Sequence, residues 1–191
     1  MLLVKLSDGN QKVGKCPNVS LTPIKACGNC TQCAKNCYAL KSYRMYREVR
    51  AAWDGNLQLA RGDRAHYFSQ ISEQLSKRRK PPRYFRWHVS GDILDQNYFD
   101  HMCGIAVRHS RTKFLVFTKM HALDFSRAPK NLRVVLSMWP GMPLPTQQLP
   151  RAWMQDGTET RVPQDAITCP GLCEDCHACW GLKCDVVFNK H

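Results

Sequence analysis

Eleven cysteines in 191 residues are the first chemistry this sequence offers. Ten fall into two knots: Cys16, Cys27, Cys30, Cys33 and Cys37, then Cys169, Cys173, Cys176, Cys179 and Cys184. Cys27-x2-Cys30-x2-Cys33-x3-Cys37 has the spacing of a bacterial ferredoxin run. Cys173-x2-Cys176-x2-Cys179 repeats its opening, with Cys184 one residue later than that pattern would place it. Thiolates three residues apart let a looping backbone wrap a compact cubane, while a more distant cysteine closes the fourth iron. Separate disulfides are disfavoured, because sulfurs this dense cannot form unstrained bridges. Zinc is the competing metal, but all-cysteine zinc sites use two Cys-x2-Cys pairs divided by a spacer, and triplets at both ends favour iron–sulfur. The expected cofactor is one or two [4Fe-4S] clusters, with zinc as the alternative. Cys16, Cys33 and Cys37, completed by Cys27 or Cys30, are the expected N-terminal ligands. Cys169, Cys173, Cys176 and Cys179 are the C-terminal ones, with Cys184 in reserve. Spacing leaves open whether the knots exchange ligands, as runs do in two-cluster ferredoxins. Cys103 stands apart and reads as a small buried apolar residue.

Cys169-x3-Cys173-x2-Cys176 also has the spacing by which radical S-adenosylmethionine enzymes keep one iron open. Cys179 and Cys184 are at hand to fill that position, and no two glycines are adjacent anywhere, so closed coordination is preferred.

Length suits one domain, and 43% apolar residues can bury a core without disulfides. No apolar run approaches a membrane span, and Met1-Leu2-Leu3-Val4 is too brief for an export signal, so reduced thiols in the cytoplasm of a bacterial host are expected. The 28 lysines and arginines against 15 acids give +13; two clusters of about −2 each would leave roughly +9.

Elements must carry the knots. Residues 1–37 form an N-terminal Cys-rich segment, 38–139 a βα core, 140–165 a Pro-rich loop or lid, and 166–191 a C-terminal Cys-rich segment. Tyr43, Tyr46, Trp53 and Leu57 predict one helix from Tyr38 to about Leu59. Phe68, Ile71 and Leu75 predict a second, ending in Lys77-Arg78-Arg79-Lys80 and stopped by Pro81-Pro82. From Tyr84 to Ser90 the residues alternate, with Phe85, Trp87 and Val89 facing one way and Arg86, His88 and Ser90 the other. Asp95 can cap a helix bearing Tyr98, Phe99, Met102, Ile105 and Ala106. Phe114–Thr118 and Leu132–Met138 read as further strands, and Asp165–Thr168 and Val186–Phe188 as short ones. Parallel βα units follow, in an open sheet or a partial TIM-like barrel, since a full barrel needs ~250 residues. Such sheets carry function at strand C-termini, here Ser90-Gly91-Asp92, Thr118-Lys119, Ser137 and Cys169.

Cys16-Pro17, Cys33-x3-Cys37-Tyr38-Ala39, the Arg/Tyr-rich helix reaching Asn56, Phe85-Arg86-Trp87-His88-Val89-Ser90-Gly91-Asp92, Phe117-Thr118-Lys119, Cys173 to Trp180 and Val187-Phe188-Asn189-Lys190-His191 together resemble the phage "gene product 88" family. The resemblance spans nearly the whole chain and implies a phage or prophage protein that binds iron–sulfur. It supplies no reaction. Cys27 and Cys30 depart from the family pattern.

The leading expectation is a cluster protein in electron transfer or redox sensing. The alternatives are a cluster-dependent enzyme and a nucleic-acid-binding protein stapled by zinc or cluster. For an enzyme, His88 and Asp92 are the acid–base candidates, with Arg86 and Lys119 holding an anionic substrate or cofactor beside His88. The +13 charge, the Lys77–Lys80 run and the basic helix after Cys37 would serve nucleic acid. A redox partner or nucleic acid is therefore the expected partner, with no membrane and the oligomeric state undetermined.

Overall fold

Alternation around Phe85 and Trp87 does build a strand, third across the sheet of the computed structural model, which describes residues 2–10, 13–28 and 33–189. Among those residues eight strands lie side by side in the order β1 (Leu6–Ser7), β2 (Asn18–Val19), β3 (Tyr84–Trp87), β4 (Lys113–Thr118), β5 (Leu132–Met138), β6 (Arg151–Gln155), β8 (Val186–Asn189) and β7 (Ile167–Thr168). β1 pairs antiparallel with β2, and every later pairing is parallel. From β2 to β6 the strands follow chain order, as in a barrel, but the outer strands β1 and β7 are not joined. The sheet is open.

The helices are α1 (Tyr38–Met45), α2 (Arg47–Gly62), α3 (Arg64–Ser76), α4 (Gln96–Arg108) and a single turn, α5 (Cys173–Cys176). The one helix expected after Cys37 is two. Tyr46 adopts extended angles (φ −112°, ψ 111°) and separates them while its N–H still bonds Ser42 O at 3.0 Å. Asp63 accepts from His66 N (3.0 Å) and Asp95 from Tyr98 N (2.8 Å), so both later helices begin on a carboxylate cap.

Each face of the sheet buries its own core. Phe85, Trp87, Phe114, Val116 and Val134 meet Tyr67, Phe68, Ile71, Tyr98 and Phe99 from the helices. On the other face Leu115, Val135, Ala152 and Val186 meet Trp180, Leu182 and Cys16, with Cys169, Cys173, Cys179 and Cys184 packed against them. The C-terminal knot is thus the cover of the second face.

The stretch expected as an extended loop from Pro140 to Pro163 contains β6. It is seated by Asp185, whose carboxylate accepts from Arg151 N and Trp153 Nε1, both at 2.8 Å. Near the N-terminus, two-residue strands escape any periodicity argument. Asn56, fully buried on α2, holds them by accepting from Lys5 N (2.8 Å) and donating to Lys5 O (2.9 Å) and Ser20 O (3.0 Å).

Candidate metal centre

The site begins where β3 ends. His88 takes φ +55°, a left-handed conformation uncommon outside glycine, and this inverts the alternation expected through Ser90. Val89 packs in the second core beside Cys16 and Leu115, while His88 Nε2 meets Tyr98 Oη at 3.0 Å on the helix side. Tyr98 in turn donates to Tyr67 Oη at 3.1 Å. Burial pushes His88 down to about 3, so the imidazole is neutral at ordinary pH.

Gly91 follows with φ +86°, and a Cβ there would come within 2.7 Å of Leu21 Cβ. The close approach is stapled by Leu21 N–H to Ser90 O (2.9 Å) and Asp92 N–H to Ala26 O (3.0 Å), which docks the segment leading to Cys27 on the end of β3. Asp92 is buried. Its carboxylate accepts from Ile93 N (2.7 Å), Thr118 Oγ1 (2.6 Å) and Lys119 N (2.9 Å), tying the ends of β3 and β4 together. Burial raises Asp92, opposed by Lys119 and these hydrogen bonds. Burial would lower Lys119, but Asp92 and the Cys33 and Cys27 thiols hold it above its ordinary value.

Above these strand ends lies a cavity of about 230 Å³. Cys27, Cys33 and Cys37 line it from the N-terminal knot, and Cys169, Cys173 and Cys179 from the C-terminal one. Arg86, Lys119 and Tyr38 share its wall, with Tyr38 Oη donating to Val89 O. Among the described residues five buried side-chain polar atoms lack a partner. Three of them, Arg86 Nε, His88 Nδ1 and Ser90 Oγ, belong to residues lining this cavity. No three Cys, His, Asp or Glu side chains among the described residues are grouped so as to hold a single metal ion.

The thiols form two groups, each with its own cation. Burial raises Cys179 to about 12, reinforced by Cys169 and Cys173 and opposed by Arg86. Burial raises Cys16 to about 12 as well, again opposed by Arg86, with Cys173 nearby. Burial, then Asp92, raises Cys27 to about 11, opposed by the Ile24 backbone and by Lys119.

Cys16, expected among the N-terminal ligands, lies in the second core near Cys173 and does not line the cavity. The reason is β2. Cys16 precedes that strand and Cys27 follows it, so the two leave the sheet at opposite ends. Cys176 is exposed and Cys184 half-buried in the second core, and neither lines the cavity. Cys30 lies outside the described residues, as do Lys190 and His191. Among the described residues no two cysteines are joined by a disulfide, and Cys103 packs half-buried against the helix-side core. Ser90, Gly91, Lys119, Ser137 and Cys169 do converge on this rim, whereas Asp92 lies beneath it. Tyr38 and Trp180 were not singled out for a role, although each directly follows a cysteine. Trp180 Nε1 bonds Phe85 O at 3.1 Å, fastening the C-terminal knot across the sheet.

Fold and site define an open, mostly parallel α/β protein with a cysteine-lined cavity at the C-terminal ends of its strands. The chain belongs to the phage gene product 88 family, whose model matches residues 2–140. The match thus takes in the N-terminal knot and the strands to β5, and ends before the C-terminal knot. No curated protein and no solved structure matches the chain. Among the described residues no helix is long and apolar enough to cross a membrane.

Proposed function

We propose that this protein binds iron–sulfur in the cavity, as one or two [4Fe-4S] clusters, and serves electron transfer or redox sensing. One observation carries the reading: three cysteines from each knot, more than a hundred residues apart, line the same cavity beside two cations. The donor set fits an anionic, sulfur-rich group. Thiolates are the ligands such clusters take, and the unpartnered Arg86 Nε–H and Ser90 O–H are donors of the kind that bond cluster sulfurs.

When bound, the cluster would supply one-electron chemistry. Arg86 and Lys119 would offset its negative charge and raise its potential. Tyr38, Val89, Phe117 and Met154 would limit water at the wall. His88, neutral and shared with Tyr98, would hold the end of β3 in place.

The test is iron and acid-labile sulfide in two anaerobically purified double variants, Cys33→Ser with Cys37→Ser and Cys173→Ser with Cys179→Ser. Each is expected to lose at least half of the wild-type iron and sulfide in parallel, with total loss in both if one cluster is shared. Full retention by both would refute the reading.

A further inference from the structure

At the opposite edge of the sheet, three loops feed the N-terminal ends of β3, β4 and β5. Residues 77–83, 108–113 and 127–133 carry five, three and three lysines and arginines, and not one carboxylate. Because these strands are adjacent and parallel, the loops lie side by side. They are also laced together. Thr112 Oγ1 donates to Pro82 O (2.7 Å), Lys113 N to Arg83 O (2.9 Å), and Asn131 Nδ2 to Thr112 O (3.0 Å) and Ala106 O (2.8 Å). Lys77 pairs with Glu73 and Arg78 with Asp8. Among the described residues no ion pair engages Arg79, Lys80, Arg83, Arg111, Lys113 or Lys130, all exposed. An edge that crowds like charges in large excess over counter-charges is repulsive by itself and is relieved by a polyanion.

We propose that this edge binds the phosphate backbone of duplex DNA without reading its sequence. Three neighbouring strands spread the loops over roughly 10 Å, and duplex DNA presents about six phosphate charges in that length at one per ~1.7 Å. The loops hold no tyrosine, tryptophan or phenylalanine. Single-strand binders stack bases on such rings, and Tyr84, which directly follows Arg83, is half-buried and already stacked on His177 at 4.2 Å, which favours the duplex. Among the described residues no helix or ribbon projects here to enter a groove and reach base edges. The cysteine cavity opens toward the other ends of the same strands, while the C-terminal knot reaches this edge through His177, which stacks on Tyr84 at 4.2 Å beside Arg83.

The experiment is fluorescence anisotropy of a labelled 30-base-pair duplex of arbitrary sequence, titrated with the full chain at several salt concentrations. Arg79→Ala, Lys80→Ala and Arg111→Ala together should weaken binding at least tenfold and lower the salt slope by about 0.9 for each phosphate no longer neutralised. A control triple on the basic helices, Lys41→Ala, Arg44→Ala and Arg47→Ala, should stay within threefold, both variants showing wild-type circular dichroism. Equal weakening by the two triples, absence of binding at low salt, or tighter binding to single strands, to anionic vesicles or to an acidic peptide would overturn the proposal.

Discussion

His88 shows how one backbone angle sets the chemistry of a strand end. Its left-handed φ sends the imidazole toward Tyr98 and away from the face that Arg86 occupies. The folded value near 3 lies below the ~6.5 of an unfolded chain, so the unfolded state takes up a proton that the fold refuses. Stability is therefore full above about pH 6.5 and declines as pH falls toward 3. At ~1.36 kcal/mol per pH unit, going from pH 7 to pH 5 costs about 2 kcal/mol. His88→Asn keeps a residue that tolerates positive φ and removes the titration. Urea unfolding at the two pH values should show the wild type losing about 2 kcal/mol more than the variant. Equal losses would mean that the imidazole is protonated normally within the fold.

Among elements, the turn after β3 holds the N-terminal knot against the sheet, and Gly91 is its tightest point. Gly91→Ala combines a strained φ with a 2.7 Å approach to Leu21 and should cost about 1–3 kcal/mol or more. Gly104→Ala, inside α4 where an added Cβ meets nothing within 4 Å, should instead gain up to about 1 kcal/mol. Thermal melts of the two variants shifting in the same direction would contradict this reading. The long elements were legible because their periodicity is long. All five apolar positions assigned to α4 are buried, and β5 spans the residues expected of it. The rim was legible too, since parallel strands deliver Lys119 and Ser137 to one end whatever the packing. What escaped was short or conformational. β1 and β2 have two residues each, the break at Tyr46 has neither glycine nor proline beside it, and the inversion at His88 is a single dihedral choice. The position of Cys16 was hidden for the same reason, because it depends on β2.

For the whole molecule, the sheet separates two poles. Thiols gather around Arg86 and Lys119 over the second face and the strand C-termini, whereas the N-terminal ends of β3 to β5 gather lysines and arginines, most of them in no ion pair among the described residues. The family match covers the sheet as far as β5, while the C-terminal knot returns over the second face and is fastened to β3 through Trp180. The proposed iron–sulfur binding rests on an N-terminal and a C-terminal cysteine group meeting over one sheet. The most direct measurement is iron, acid-labile sulfide and zinc in the anaerobically purified wild type, with an electron paramagnetic resonance spectrum after reduction. Brown protein with iron and sulfide in equal amounts, about four or eight of each per chain, and a cluster signal on reduction is the expected result. Colourless protein carrying stoichiometric zinc, or no metal at all, would contradict it.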